Sequence, residues 1–422
     1  MDRFIIKGGK KLEGEVNVSA AKNSVLPILA ATILNGNNCT VENTPMLEDV
    51  FVICDVLKSL RADINIDKVN KRVKINTANI FANGANDELV RKMRASFLIM
   101  GPMLGRFGSF KISLPGGCNI GTRPIDLHLK GLSALGAEVS VGHGYVEAKA
   151  KKLIGSNIYL DYPSVGATEN IMMAATLAQG ETIIGNAAEE PEIVDLAIFL
   201  RAMGAKIDGE GTDTIRILGV KDFKEVVHKP IYDRIEAGTF MITAAITKSL
   251  IKINGVDEIH SKPIIAKLTE MGVAIEINKN SVIVDGRQKL NPIDLKTMPY
   301  PGFPTDMQAQ MMSLLCTVKG TSIITETIFE NRFMHAVELK RMGANIKIDG
   351  RSAVIEGIDT FTGSEVTATD LRAGAALVLA GLTAEGTTAI KDIYHIDRGY
   401  VSIEKKLRGL GADIERVHYD KF

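Results

Sequence analysis

The sequence predicts an α/β protein of two domains, each assembled from three copies of one supersecondary unit. A short phrase, usually containing glycine, that ends a helix and starts a strand recurs six times along the chain. A second phrase, an apolar helix followed by a strand, recurs between those copies. The chain has 422 residues, which is long for one hydrophobic core and comfortable for two.

The first phrase consists of an apolar residue, usually Gly-Ala, and then a run typical of a strand. Its copies lie about 70 residues apart, a period larger than that of most solenoid repeats. They are Leu60–Ile64, Leu135–Val139, Met203–Ile207, Met271–Ile275, Met342–Ile346 and Leu410–Ile414. Each copy follows a helical pattern, so we interpret the glycine as a helix C-cap and the β-branched residues after it as a strand.

The second phrase is an apolar helix rich in small residues, usually closed by glycine or another turn residue and followed by a strand. Its copies are Ser24–Leu34, Ser96–Leu104, Asn170–Ala178, Thr239–Thr247, Met307–Cys316 and Ala373–Leu382. A helix that is apolar all round is a buried helix. Each unit is therefore expected to contain one buried helix, one amphipathic helix and several strands.

A boundary near Pro230 separates the third unit from the fourth. Three units bury each other's apolar faces and form a domain. The last unit of the chain lacks a partner strand, and the first strand, Phe4-Ile5-Ile6, is expected to supply it. The predicted domains are residues 21–230, and residues 1–20 together with residues 231–422.

Composition is that of an ordinary globular protein, with 50 Lys and Arg against 50 Asp and Glu. No global field attracts nucleic acid or an anionic membrane, so any anion must be held by a local cluster of cations. The N-terminus lacks the apolar core of a signal peptide, and no apolar run approaches the length of a bilayer span. The cysteines have no CxxC spacing, which favours a reducing cytoplasm over a disulfide frame or a zinc site.

The N-terminal ends of the apolar helices carry polar residues. They are Lys22-Asn23-Ser24, Arg94-Ala95-Ser96, Thr168-Glu169-Asn170, Arg234 with Glu236, Thr305-Asp306 and Thr369–Arg372. Equivalent helices of a repeat point the same way, so three positive helix ends would meet at one surface of each domain and favour a polyanion. The alternative is that these residues are ordinary caps and solvated charges, and Thr305 is expected to be an N-cap.

The segment Leu114–Pro124, with the sequence LPGGCNIGTRP, is the strongest functional candidate. Its glycines allow backbone conformations that other residues avoid, and a proline lies near each end of the segment. A thiol on such a segment is poorly placed as core filler and well placed to reach into a cleft. We expect the loop that carries Cys118 to act as a lid on the first domain.

Seven separated motifs are Lys22-Asn23, Met93–Ser96, Leu114–Cys118 with Arg123-Pro124, Pro301–Asp306, Glu330–Phe333, Asp370–Arg372 and Asp397–Tyr400. In this order they resemble the UDP-N-acetylglucosamine 1-carboxyvinyltransferases of the enolpyruvyl transferase family. The resemblance implies two inverse α/β barrel domains, each of three βαβαββ units around buried helices, as in EPSP synthase. It places the active site in the cleft between the domains.

The resemblance implies that an enolpyruvyl group moves from phosphoenolpyruvate to the 3′-hydroxyl of UDP-N-acetylglucosamine, with release of phosphate by addition and elimination. This transfer is the first committed step of peptidoglycan precursor synthesis. The resemblance requires no metal and no organic cofactor. The expected partners are these two substrates, with no nucleic acid and no membrane insertion.

The resemblance assigns the chemistry to four residues. Cys118 is the acid that protonates C3 of phosphoenolpyruvate and the site of a covalent adduct. Asp306 is expected to be the base on the 3′-hydroxyl, and the alternative is that it only orients that hydroxyl. Lys22 and Arg398 are the other two catalytic residues that the resemblance implies. The cations on the phosphate side are Lys22, Arg123 and Arg398, and those on the carboxylate side are Arg332 and Arg372.

The other expected contacts hold the substrates. They are Asn23, Arg94, Arg123, Pro124, Ile125, Asp126, Leu127, Asp306 and Ile328. In one departure from the family, Tyr162-Pro163-Ser164-Val165 stands where many relatives carry Lys-Val-Ser-Val. The resemblance therefore does not carry a lysine contact to the nucleotide over to Tyr162, and backbone groups of Ser164 and Val165 are the remaining candidates there.

Three other functions fit the sequence less well. A shikimate-pathway enolpyruvyl transferase shares the fold but lacks the Gly-Gly-Cys loop. A non-catalytic UDP-sugar sensor would not need both Cys118 and Asp306. Nucleic-acid binding is disfavoured by the zero net charge and the 5% aromatic content.

Overall fold

The computed structural model describes residues 2–81, 88, 94–114, 125–142 and 144–418. These residues divide into two compact units. The N-unit comprises the described residues between Ala20 and Ile231, and the C-unit comprises the described residues up to Ser19 and from Tyr232 onwards. The cleft predicted between the domains stays a prediction.

The helices and strands alternate along both units. The described helices are α1 (Lys22–Ala31), α2 (Glu48–Ser59), α3 (Met100–Phe107), α4 (Asp126–Ala134), α5 (Val165–Ala175), α6 (Pro191–Met203), α7 (Arg234–Ile246), α8 (Glu258–Met271), α9 (Gln308–Cys316), α10 (His335–Arg341), α11 (Leu371–Thr383), α12 (Tyr394–Asp397) and α13 (Ile403–Gly409). Short 3₁₀ turns cover Thr32–Leu34, Arg94–Ile99 and Thr305–Met307. No helix in the described ranges is long and apolar enough to cross a membrane.

The strands are short, as expected of a repeat built from small units. They are β1 (Asp2–Lys7), β2 (Glu13–Asn17), β3 (Asn38–Val41), β4 (Asp63–Asp67), β5 (Arg72–Asn76), β6 (Ser109–Ser113), β7 (Glu138–Gly142), β8 (Tyr145–Lys149), β9 (Asn157–Tyr159), β10 (Glu181–Gly185), β11 (Lys206–Asp208), β12 (Thr214–Leu218), β13 (Val226–His228), β14 (Leu250–Asn254), β15 (Ala274–Asn278), β16 (Ser281–Asp285), β17 (Leu295–Lys296), β18 (Thr321–Thr325), β19 (Asn345–Asp349), β20 (Ser352–Glu356), β21 (Glu365–Thr367), β22 (Thr387–Lys391) and β23 (Asp413–His418).

Within the described residues, each unit contains three small sheets. Those of the N-unit are ordered β13-β3-β5-β4, β6-β8-β7 and β9-β10-β12-β11, and those of the C-unit β2-β14-β16-β15, β17-β18-β20-β19 and β21-β22-β1-β23. In the four-stranded sheets the first strand is parallel to the second and the other pairs are antiparallel. The run β17, α9, β18, α10, β19, β20 is one complete βαβαββ unit. The predicted fold class is confirmed.

The first strand of the chain joins the last sheet of the C-unit. In β1, Phe4 pairs with Ile390 of β22 on one side and with Arg416 of β23 on the other. Both partners belong to the last repeat, as expected from its missing strand. In the N-unit, β13 joins the first sheet from the other end of the unit, at the edge of that sheet and parallel to β3, where Val226 pairs with Cys39.

The apolar helices are buried on every side. All residues of α7 from Ile235 to Ile246 and of α11 from Arg372 to Leu382 are buried. All of α9 is buried too. By contrast, α8 buries only Ser261, Ile264, Ile265, Leu268 and Met271. One helix in each repeat therefore fills the interior and another covers the sheet, as the residue pattern predicted.

The recurring phrase ends its helix in the left-handed backbone region, where glycine is favoured. The φ angles are 94° at Gly136, 121° at Gly204, 99° at Gly272, 93° at Gly343 and 99° at Gly411. The first copy places Arg61 at the same position with φ of 73°. The prediction of a C-cap is confirmed, and it holds even where the side chain is not glycine.

Helix α3 packs against α5 so closely that one of its glycines has no room for a side chain. A Cβ atom on Gly101 would lie 2.2 Å from the carbonyl oxygen of Asn170, whereas one on Gly105 would meet nothing nearer than 3.5 Å.

We expect Gly101→Ala to lower the free energy of unfolding by about 1–3 kcal/mol through overpacking. Gly105→Ala is the matched control and should raise it by about 0.5–1 kcal/mol through helix propensity. Urea unfolding of both variants checks this, and equal effects would contradict the close helix contact.

Candidate active site

Asp306 lies in the 3₁₀ turn that leads into α9 and accepts hydrogen bonds from two arginines. Its Oδ1 accepts from Nη2 of Arg332 at 2.9 Å. Its Oδ2 accepts from Nε and Nη2 of Arg372 at 3.2 and 2.9 Å. The side chains of Arg332 and Arg372 are only 4% and 3% exposed, and that of Asp306 is 27% exposed. Residues from three separate sequence motifs therefore meet at one point of the C-unit.

This cluster holds two buried positive charges against one negative charge. Burial by itself would lower the pKa of Arg372, but neighbouring groups, the carboxylate of Asp306 foremost, raise it overall. The guanidinium therefore stays charged. A buried cation without a partner is strongly destabilising, so the carboxylate of Asp306 supports the fold as well as any chemistry. The guanidinium forks of both arginines have the geometry that pairs with a carboxylate.

The ring of Tyr400, a residue that is 1% exposed, packs against the guanidinium of Arg372. The centre of the guanidinium lies 5.4 Å from the centroid of the tyrosine ring. The Tyr400 hydroxyl is 2.9 Å from Oγ1 of Thr239 on α7 and accepts a hydrogen bond from Nε2 of Gln310 on α9 at 3.1 Å. The starts of α7, α9 and α11 are thus tied together beneath the ion cluster. Sequence reasoning did not single out Thr239 or Gln310.

Glu326 organises the other side of Asp306, and sequence reasoning missed it. It is 1% exposed, and its carboxylate accepts from the hydroxyls of Thr297 and Thr305 at 2.8 Å each. It also accepts from the backbone N–H of Ile328 at 2.8 Å. The prediction that Thr305 is an N-cap is therefore wrong, because its hydroxyl donates to Glu326 and makes no cap hydrogen bond. Ile328, an expected substrate contact, is held by its backbone close to the start of α9.

Lys22 opens α1 in the N-unit and is buried. Its Nζ donates to Oδ2 of Asp49, in the first turn of α2, at 3.1 Å. The ammonium group has three donors, so this bond orients the lysine and leaves capacity for an anion. The neighbouring Asn23 is exposed.

A second buried cluster fixes the start of α1. The hydroxyl of Ser24 donates to Oδ2 of Asp195, and Nε2 of His228 lies 2.9 Å from Oδ1 of the same carboxylate. The backbone N–H of Ile231 also donates to Asp195 at 3.1 Å. A nucleophilic triad needs the histidine between serine and carboxylate. Here the carboxylate lies between them and Ser24 is fully buried, so the cluster is structural.

Two aspartates at helix starts are ordinary caps, the alternative that the sequence left open. Asp370 accepts from the backbone N–H groups of Arg372 and Ala373 at 2.8 and 3.0 Å. Asp233 caps α7 in the same way. Arg398 follows the short helix α12 as its C-cap residue and is partly buried.

The residues expected around the sugar nucleotide are only partly described. Ile125 precedes α4, Asp126 is its exposed first residue and Leu127 is partly exposed. Arg94 begins a 3₁₀ turn, and its side chain lies outside the described part. The lid prediction and three site residues also fall outside it: Cys118, Arg123 and Pro124.

The other three cysteines are buried and free, as the sequence indicated. Burial raises the thiol pKa to about 11 at Cys39, about 12 at Cys54 and about 12 at Cys316. They are therefore protonated and unreactive at neutral pH.

Tyr162, which stands where many relatives carry lysine, is 42% exposed. The hydroxyl of Ser164 accepts a hydrogen bond from the backbone N–H of Ala167 at 3.4 Å and caps α5.

His335, at the start of α10, is buried at 1% exposure. Burial lowers its pKa from 6.5 to about 4; the charge of Arg332 acts in the same direction and that of Asp370 opposes it. The imidazole is therefore neutral at pH 7 and adds no third positive charge beside the arginines.

Comparison with known proteins covers the whole chain. Residues 6–407 match the family model "EPSP synthase (3-phosphoshikimate 1-carboxyvinyltransferase)". UDP-N-acetylglucosamine 1-carboxyvinyltransferase 2 of Clostridium tetani is 70% identical over 99% of this chain and 100% of the relative. UDP-N-acetylglucosamine 1-carboxyvinyltransferase 1 of Clostridium acetobutylicum is 68% identical over the same shares. The crystal structure of the enolpyruvyl transferase NikO from Streptomyces tendae matches with a TM-score of 0.90 at 24% identity, covering 98% of each chain.

The low pKa of His335 predicts a loss of stability in acid. Between pH 6.5 and about 4 the unfolded chain binds a proton that the folded protein does not, so stability present above pH 6.5 is lost as pH falls. The wild-type free energy of unfolding, measured in urea, should therefore fall by up to about 3 kcal/mol more than that of His335→Gln between about pH 7 and pH 4. His418→Gln, at a side chain that is 72% exposed, is the control. Equal pH slopes in both variants would contradict the assignment.

Proposed function

Since the chain belongs to the enolpyruvyl transferase family, among the UDP-N-acetylglucosamine 1-carboxyvinyltransferases, we propose that it transfers the enolpyruvyl group of phosphoenolpyruvate to the 3′-hydroxyl of UDP-N-acetylglucosamine. Phosphate is released, and the product enters peptidoglycan precursor synthesis in the cytoplasm. The observation that carries this proposal is the high identity to relatives of that name over their full length.

The chemistry proceeds by addition and elimination. In the addition, C3 of phosphoenolpyruvate gains a proton and the sugar oxygen forms a bond to C2, while the hydroxyl loses its proton. In the elimination, C3 returns a proton and the bond from C2 to the phosphate oxygen breaks. Positioned acids and bases and preorganised cations are what both steps require.

The proposed roles follow the sequence motifs. Cys118 is the acid and the adduct site, and Asp306 receives the hydroxyl proton. The cations for the phosphate are Lys22, Arg123 and Arg398, and those for the carboxylate are Arg332 and Arg372. The proposed contacts to the sugar nucleotide are Asn23, Arg94, Arg123, Pro124, Ile125, Asp126, Leu127 and Ile328.

The ion pairs of Asp306 refine its role. With both oxygens occupied by guanidinium donors, its carboxylate has little capacity to accept a proton from an alcohol. A substrate carboxylate that takes over donors of Arg332 and Arg372 releases lone pairs of Asp306 for the 3′-hydroxyl. The carboxylate therefore becomes an effective base only when phosphoenolpyruvate is bound.

Phosphate release tests the function. Purified protein should release phosphate from phosphoenolpyruvate when UDP-N-acetylglucosamine is present, and not with shikimate 3-phosphate or without an acceptor. Cys118→Ala should abolish or severely reduce this turnover, whereas Cys54→Ala should lose stability without a specific loss of chemistry. Binding of the sugar nucleotide without phosphate release would instead support a sensor, and turnover with shikimate 3-phosphate would support the sister enzyme.

Replacement of Asp306 separates its two roles. Asp306→Asn keeps the size of the side chain and removes the charge that neutralises Arg332 and Arg372. We expect kcat to fall by about 10²–10⁴, the usual contribution of a positioned base. The Kd of phosphoenolpyruvate, measured by calorimetry, should stay the same or decrease because a competing anion is gone. A weaker Kd with unchanged kcat would contradict this account.

A further inference from the structure

Arg398 lies in a short segment, Asp397–Tyr400, whose other residues are tightly anchored. Under the proposed function, the Arg398 side chain contacts the phosphate of phosphoenolpyruvate, but its neighbours in the chain have no assigned role. Each of them makes contacts that fix the backbone on one side of Arg398.

Asp397 anchors the segment on its N-terminal side. Arg416 of β23 forms a bidentate pair with it, with Nη1 donating to Oδ2 at 3.0 Å and Nη2 to Oδ1 at 2.6 Å. Arg416 also donates from Nε to Glu404 at 3.4 Å, and its guanidinium carbon lies 5.0 Å from the ring centroid of Phe4. A parallel pair of charge-assisted bonds fixes both distance and orientation. Asp397 is thus tied to β1, β23 and α13.

Tyr400 anchors the segment on its C-terminal side. It is almost fully buried, and its hydroxyl is held between Thr239 and Gln310. Between the anchors, a Cβ atom on Gly399 would lie 2.3 Å from Cδ1 of Leu371, so the backbone passes directly over the start of α11. The tyrosine ring faces the guanidinium of Arg372. One residue therefore sets the backbone beside Arg398 and supports the side chain of Arg372.

We propose that Asp397 and Tyr400 are positioning residues, which hold Arg398 and Arg372 in the geometry that phosphoenolpyruvate requires. This inference rests on the proposed function of those two arginines. Neither residue needs to touch the substrate. Charge-assisted hydrogen bonds lose much of their strength when the donor is displaced. An arginine that is held less firmly therefore binds the substrate less tightly.

The first test compares two aspartates with the same bonding pattern. Asp285 forms a bidentate pair with Arg287 at 2.8 and 2.7 Å in the same unit, but this pair joins neighbours at the end of β16. We expect Asp397→Asn to raise KM for phosphoenolpyruvate about tenfold, with smaller effects on kcat and on KM for the sugar nucleotide. Asp285→Asn should change none of these constants. Equal kinetics in the two variants would overturn the proposal.

The second test uses Tyr400→Phe, which keeps the ring and removes the hydroxyl. We expect KM for phosphoenolpyruvate to rise several-fold while the unfolding midpoint changes little. A double-mutant cycle of Asp397→Asn with Arg416→Gln should be non-additive in KM, because both changes break one bidentate pair. A Tyr400→Phe variant with wild-type KM and an additive cycle would overturn the proposal.

Direct measurement of phosphoenolpyruvate binding tests the positioning roles independently of the proposed function. Calorimetric titration of each variant with phosphoenolpyruvate alone gives the same comparison without turnover. A wild-type protein that binds phosphoenolpyruvate but releases no phosphate would overturn the proposed function, while the ratio of Kd values between Asp397→Asn and Asp285→Asn still decides the positioning roles. A ratio near one would reject them.

Discussion

Each unit is built on helices that are buried on every side, and this constraint decides where charge can lie. Beyond their first turns, the side chains of α7, α9 and α11 are buried as far as Ile246, Cys316 and Leu382. Only the helix starts are left to carry ionised side chains, and these starts also present unpaired N–H groups. The functional candidates of the C-unit are consequently gathered at the beginnings of its interior helices.

Such a gathering of charges is stable only if every buried ion has a partner. Arg332 and Arg372 share Asp306, and Glu326 is satisfied by two hydroxyls and backbone N–H groups. In the N-unit, Lys22 has Asp49. Removal of one member leaves an uncompensated charge, so each partner is needed for the fold whether or not it meets substrate. Loss of activity alone therefore does not identify a catalytic residue in these clusters.

The sequence was sufficient for the repeat, because glycine after a helix and apolar periodicity are local signals. Even Arg61 fits the pattern, since its backbone follows the glycine copies. Local signals failed for Thr305, whose hydroxyl prefers Glu326, a residue 21 positions away. The arginine pairs of Asp306 span 26 and 66 residues, and no spacing rule predicts them. The motifs named these residues, but only the fold shows that they contact each other.

The pairing of Asp306 with two arginines also bears on how an anionic substrate gains affinity. When a substrate carboxylate replaces the carboxylate of Asp306, one ion pair is exchanged for another of the same kind, and the net Coulomb energy changes little. Under the proposed function, the carboxylate end of phosphoenolpyruvate is therefore recognised by shape and donor geometry more than by charge. The accuracy with which the donors are placed is therefore decisive on the phosphate side as well. Accurate placement of Arg398 then matters more than its charge alone, and this is why anchored neighbours on both sides of that arginine are a sensible feature of the chain.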